Sequence, residues 1–263
     1  MKIVSFAAIK GGVGKTTLAF NYGEYLAASG KKVLFIDLDH QCNLSQIYNV
    51  YDNEKTVGNV FLGHGEVTIL EVKENISLIA GSMNLDWIEA SLEHKTNKDM
   101  LLYMWLEDNY EKYNLGQFDY IIIDCRPDFS IATKNAIAVS HSVISPIIPS
   151  DFGYQAKFNI MNRIEEFRQT AINFQTRESY ITAKLLFVAN MIKHNTNSSR
   201  ELLNRIESDD DMIGIIPAKE LFNRSTLDKV SLAEMKEEEQ LYHKHKKFFD
   251  DLDFTFAGIS DKI

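Results

Sequence analysis

Ile9-Lys10-Gly11-Gly12-Val13-Gly14-Lys15-Thr16-Thr17 is the stretch on which the reading of this chain turns. An apolar segment, residues 3–8, leads into it. An apolar-periodic one, carrying Leu18, Tyr22, Tyr25 and Leu26, leads out. That order is strand, glycine loop, helix, the context in which a phosphate-binding loop works. Glycines let the backbone curl so that successive N–H groups face one anion, and the helix that follows adds the positive end of its dipole. In such a loop Lys15 reaches the β- and γ-phosphates of a nucleotide, and the Thr16 hydroxyl takes a place on Mg²⁺. The usual spacing puts a glycine where Ile9 stands, and here a second lysine, Lys10, follows it.

Outward from this loop, apolar runs of strand length recur at 3–8, 33–37, 76–80, 120–124, 143–148, 184–190 and 213–216. Helix-patterned stretches separate them at 16–29, 98–113, 130–139, 153–174, 197–207 and 233–251. Continuous Val/Ile/Leu strands alternating with helices predict an α/β fold, a mostly parallel β-sheet with helices on both faces. No repeat, low-complexity segment or long linker divides the chain, so residues 1–263 are expected to form a single domain.

Ligands of parallel sheets sit at the carboxyl ends of the strands. Three motifs fall there: the loop after the first strand, Asp37 and Asp39 at the end of the second, and Asp124 closing a central one. A carboxylate ending an apolar strand is costly unless it meets a cation or donors. Asp124 therefore reads as a Mg²⁺ partner through a bound water, the alternative being a cap for the helix that starts near Ser130. Asp37 and Asp39, two apart in a strand, point the same way. They would repel a nucleotide unless Mg²⁺ or lysine lies between.

A formal net charge of −9 and a pI near 5.3 argue against a surface coated for nucleic acid, though a local basic face is compatible with them. Two cysteines, Cys42 and Cys125, lack metal-like spacing and read as reduced thiols of a cytosolic protein. Strand residues begin at once after Met1, leaving no room for a signal peptide, and no apolar run approaches the ~20 residues of a membrane span. A cytoplasmic protein is expected.

The run from Lys10 to Thr17 resembles the deviant Walker A motif of the ParA/MinD family of ATPases. The likeness extends to Val33-Leu34-Phe35-Ile36-Asp37-Leu38-Asp39 with Gln41 and Asn43, to Tyr120-Ile121-Ile122-Ile123-Asp124, and to the strand at 142–149, about residues 1–220 in all. It implies a single P-loop ATPase domain that binds ATP and Mg²⁺ and forms a homodimer on ATP binding. Gly11, Gly12, Val13, Gly14, Lys15, Thr16 and Thr17 would cradle the phosphates. Thr16, Asp37 and Asp124 would serve the metal. Asp39 would orient the attacking water, and Lys10 would reach across the dimer to the partner's phosphates. Asn190 and the turn at Pro217 stand where family members contact adenine, and Asn190 has the donor–acceptor pair a purine edge needs. Two departures stand out. His40 replaces a proline after Asp39, and Cys125 and Arg126 precede Pro127, where Arg126 would add a cation beside the phosphates.

Three functional readings follow from the resemblance. In the leading one, a ParA-type DNA partition ATPase, the ATP dimer binds DNA nonspecifically and a DNA-binding partner protein stimulates hydrolysis, with the protein associated with the nucleoid. The second is a MinD-like positioning ATPase on a membrane. The third is an assembly or metal-delivery ATPase, or an iron–sulfur reductase of similar architecture. The C-terminal segment mixes Glu237, Glu238, Glu239, Asp250, Asp251 and Asp253 with Lys244, Lys246 and Lys247, which anionic lipid would repel, so no membrane partner is expected. Neither cysteine sits in a cluster-ligand pattern. Lys193, Arg200 and Arg224 are the candidate DNA contacts.

Overall fold

The computed structural model describes residues 1–51, 54–150 and 153–263. The Val/Ile/Leu runs lie side by side as β1 (Lys2–Phe6), β2 (Val33–Leu38), β3 (Leu70–Lys73), β4 (Ile76–Ile79), β5 (Tyr120–Cys125), β6 (Ser142–Ile147), β7 (Lys184–Ile192) and β8 (Met212–Pro217). They make an eight-stranded sheet in the order β3-β4-β2-β5-β1-β6-β7-β8. Every pairing is parallel except that of β3 with β4.

The helices are α1 (Lys15–Ala28), α2 (Asn43–Ile47), α3 (Gly58–Leu62), α4 (Leu85–Leu92), α5 (Leu101–Asp108), α6 (Ile131–Val139), α7 (Gly153–Thr170), α8 (Asn197–Ile206), α9 (Glu220–Leu227), α10 (Leu232–Glu237) and α11 (Glu239–Lys262). Strand side chains alternate between two sides. Val4, Phe6, Phe35 and Ile122 pack with α1, α9, α10 and α11. Ile3, Leu34, Ile36 and Ile121 pack with α4 through α8. Both faces are covered, which is why the strands read as unbroken apolar runs.

The expected elements differ from the structure where they are short or polar. β3, α2, α3, α4 and α9 were not anticipated. The helix expected at 98–113 is a 3₁₀ turn at Lys98–Met100 followed by α5, because the Asn109 side chain and backbone N–H both close on the Trp105 carbonyl. The stretch at 233–251 is two helices. Ser231 and Glu234 form a capping box that starts α10, and Glu238 in an extended conformation separates it from α11. α11 is itself kinked at His245 and runs on to Lys262.

Close approach of α1 to the sheet fixes the loop that precedes it. A Cβ on Gly23 would stand 2.1 Å from the Phe35 ring and 3.1 Å from Ile122, and Phe35 is fully buried. Gly23→Ala, which gains about 1 kcal/mol at an exposed helix site, is expected here to cost about 1–3 kcal/mol by overpacking. Thermal unfolding checks the sign: a melting temperature equal to or above wild type would contradict this packing.

Candidate nucleotide-binding site

Gly12 and Gly14 take left-handed backbone angles, φ +73° and +88°, which L-residues adopt only with strain. Gly14 is the N-cap of α1 and offers no side chain, so the first N–H groups of the helix are left for a ligand. The loop is held from outside. Asn190, at the carboxyl end of β7, donates its Nδ2 to the Val13 carbonyl at 2.8 Å, and a Cβ on Gly14 would sit 2.6 Å from that nitrogen. Pro127 lies against Gly11 on the other side.

The acidic residues converge on this loop. Asp37 and Asp124 are register partners on β2 and β5, and Phe6 of β1 pairs with Asp124. Both carboxylates are fully buried. Asp37 is satisfied: Oδ2 accepts from the Ser45 amide at 2.9 Å and its hydroxyl at 2.7 Å, and Oδ1 accepts from the Asp39 amide at 3.1 Å. Burial still pushes its carboxyl up to about 6. Asp37 thus pins α2 and the Asp39 turn. The Oδ1 of Asp39 accepts from the Gln41 amide at 3.0 Å.

Asp124 has no such neighbours. Neither oxygen has a hydrogen-bond partner of normal geometry among the described residues. Burial, and then the charge of Asp37, raise its carboxyl well above the usual range; the Thr16 hydroxyl and the Lys15 ammonium offset this only in part. Lys15 is itself buried, and desolvation lowers its pKa against the pull of Asp124, Cys125 and Asp39. A buried carboxylate beside a threonine hydroxyl, short of positive charge, fits Mg²⁺. Mg²⁺ is commonly held by one or two carboxylates and completed by substrate phosphates and water. Among the described residues there is no group of three His, Cys, Asp or Glu that could hold a metal ion.

A pocket of about 370 Å³ adjoins the loop and is bordered by Gly14, Thr17, Asn190 and Pro217. It also takes in Met191, Lys219, Phe222 and Asn223. Met191 stands at φ 58° where the β7–β8 register shifts, a bulge that periodicity does not signal. The other three come from the short α9 and the residue before it.

Other expected residues are placed differently. Lys10 donates to the Ser150 hydroxyl at 3.3 Å. Arg126 is not aimed at phosphates: it pairs with Asp86 and Glu89 of α4 and with Asp128. Glu89, buried, also accepts from the Ala132 amide at the start of α6. His40 lies 3.5 Å from both Asp39 and Asp86. The candidate DNA contacts are not gathered into one patch. Lys193 borders the pocket, Arg200 and Arg224 lie on helices covering opposite faces, and Arg224 pairs with Asp228. Both cysteines are free and buried, and burial pushes the Cys42 thiol up to about 12.

A family model described as AAA domain (AAA_31) matches residues 1–177, more than half of the chain. The chain belongs to this family, the ParA/MinD-like P-loop ATPases. The sporulation initiation inhibitor protein Soj of Bacillus subtilis is 31% identical over 168 residues, which are 62% of this chain and 64% of Soj. The match thus spans less than two thirds of that relative. A plasmid partition protein from Borrelia burgdorferi has the same fold, with 23% identity, a TM-score of 0.71, and coverage of 87% of this chain and 96% of the other. McdA from Cyanothece, solved as an ATP complex of a variant, covers 99% of this chain and 95% of its own with a TM-score of 0.79 at 19% identity. Among the described residues no helix is long and apolar enough to cross a membrane.

The carboxyls give the site of this ATPase-family member a pH signature. Asp37 and Asp124 have folded pKa values above their unfolded ones, so the metal-free fold holds protons that the unfolded chain releases. Their contribution is most favourable below the unfolded value of about 4 and is lost as pH rises through the folded values, about 6 for Asp37. Asp124→Asn is expected to raise the melting temperature of the metal-free protein at pH 7, by about 2–4 °C per kcal/mol relieved. It should also remove the extra stabilisation that Mg²⁺ adds to nucleotide. Differential scanning calorimetry with and without metal reads both; lower metal-free stability with Mg²⁺ linkage intact would contradict the assignment.

Proposed function

We propose that the chain, as a single ATPase domain over residues 1–263, binds Mg–ATP at the phosphate loop and hydrolyses it slowly. ATP binding closes a homodimer, and that dimer holds DNA without sequence preference until a DNA-bound partner protein stimulates hydrolysis and release. The observation that carries the nucleotide reading is Asp124, buried, without a hydrogen-bond partner of normal geometry among the described residues, and only partly offset by Thr16 and Lys15 at the centre of the strand ends.

Bound Mg²⁺ would supply the positive charge this carboxylate lacks and polarise the terminal phosphate. The chain's own groups do the rest. Backbone N–H groups of residues 11–17 receive phosphate oxygens, and Lys15 meets the charge that develops on them. Asp39, its carboxylate fixed by the Gln41 amide, orients a water. Asp37 acts one step back, by holding Asp39 and α2 in place. Asn190 and Pro217 border the base. None of these is a strong base, so intrinsic turnover should fall far below the ~10 s⁻¹ typical of enzymes. Lys10 would trade the neutral Ser150 hydroxyl for a phosphate of the partner subunit, a charge-assisted and stronger bond.

Partition of DNA is supported by the names of the relatives. On this reading the protein acts in the cytoplasm, at the nucleoid when ATP is bound. With a net charge of −9, DNA contact must come from a restricted face. Lys193 and Lys219 both border the pocket and give that side two cations.

Lys15→Ala should abolish turnover, measured as phosphate release; unchanged ATP affinity and rate would remove the assigned site. Lys10→Ala is expected to bind nucleotide as a monomer yet lose ATP-dependent association, whereas Asp39→Ala should accumulate as an ATP dimer. Sedimentation of the two separates the roles, and a Lys10→Ala protein that dimerises and hydrolyses normally would sink the trans lysine. The Asp39→Ala dimer should retain duplex DNA of arbitrary sequence, with affinity falling steeply as salt rises. Retention on anionic vesicles and not on DNA would move the answer to membrane positioning.

A further inference from the structure

Helices that cover opposite faces of a sheet line a common groove only where the sheet ends. α8 and α11 do so at β8, enclosing about 690 Å³ between Leu203 and Ile206 on one side and Phe254 and Gly258 on the other. The floor is the edge strand itself. β8 pairs with β7 alone, so the backbone N–H and C=O groups of its outer edge are taken by no other strand among the described residues. Such an edge is a template for one more strand.

Two apolar side chains stand open beside it: Ile215 is 49% exposed and Phe254 82%. Gly258 leaves open space where a Cβ would be. The approach to β8 is acidic. Glu207, Asp209, Asp210 and Asp211 precede it, and only Asp209 has a cationic partner among the described residues, Lys157. A second copy of the chain would bring another net charge of −9 to this edge, whereas a basic segment would neutralise it.

We propose that the outer edge of β8 binds an extended peptide segment of a partner protein, added as a ninth strand, in which apolar residues alternate with Lys or Arg. Its backbone pairs with Met212–Ile215; its apolar residues share one face and rest on Ile215, while its cations share the other, over the Phe254 ring, and its end nearest Met212 meets Glu207, Asp210 and Asp211. The groove shares no lining residue with the nucleotide pocket, so the proposal stands or falls without the ATPase reading.

The test uses the whole protein without nucleotide and a fluorescent peptide of alternating Lys and Val, about nine residues long to span a strand of this size. A Glu–Val analogue and a Lys–Val analogue with a central proline serve as controls. The Lys–Val peptide is expected to bind, to slow hydrogen exchange at the amides of 212–215, and to lose affinity by about tenfold or more in both Ile215→Lys and Phe254→Lys. The controls should bind weakly or not at all, and the melting temperature of each variant reports that it is folded. Equal binding of the proline peptide would reduce the effect to charge alone and overturn the proposal. So would unchanged affinity in both folded variants. Absence of binding at millimolar peptide would make the acids simple guards of an open edge. A concentration-dependent dimer that Ile215→Lys dissolves would give the edge to a second copy.

Discussion

Three carboxylates, Asp37, Asp39 and Asp124, are buried at the ends of two adjacent strands, and the buried ammonium of Lys15 acts on Asp124 and Asp39. Each would be costly in an apolar interior without donors or an opposite charge. The surroundings can be understood as answers to that cost. Ser45 exists in the short α2 to give two donors to Asp37, and the chain turns at 39–42 so that backbone amides reach Asp37 and Asp39. Asp124 receives no backbone donor among the described residues, only the Thr16 hydroxyl and the Lys15 charge in part, and its strand is central, between β2 and β1. The charge imbalance is therefore delivered to the point where the phosphate loop ends and α1 begins.

A second acidic–basic cluster ties the loops around this point to one another. Arg126 joins the segment after Asp124 to Asp86 and Glu89 of α4, Glu89 reaches the start of α6, and His40 lies between Asp39 and Asp86. The segments that carry Asp39 and Asp124 thus share α4 as a common support. An arginine surrounded by three carboxylates is spent on structure, which is why the cation that the sequence seemed to add at the phosphates is directed elsewhere.

Much of this was legible in the sequence, for physical reasons that also mark where legibility stopped. Seven of the strands are apolar runs rich in Val, Ile and Leu, and such runs announce themselves; β3, four residues with Glu71 and Lys73, does not. α7 buries one side, at Lys157, Ile160, Ile164 and Phe167, and shows a period, while α2 and α3 are five residues each and carry too few turns to do so. The glycine loop, Lys15 and the strand-end aspartates could be located because strand ends are where a parallel sheet exposes ligand-binding chemistry. Which aspartate is satisfied and which is not depends on Ser45, eight residues from Asp37 and brought back by a turn with Cys42 at φ 52°, and no spacing rule encodes that. Likewise Phe222 and Asn223 reach the pocket only because α9 folds back over the end of β8.

The bond from Asn190 to the Val13 carbonyl has an effect on timing as well as on shape. It fastens the glycine loop to the sheet before any ligand arrives, so the entropy of ordering those residues is lost on folding and not on binding. A preformed loop of this kind captures nucleotide quickly and does not need to unfold to let it go. The lifetime of the bound state is then set by what closes over the nucleotide from outside, a lever available to a second protein and absent from the loop itself.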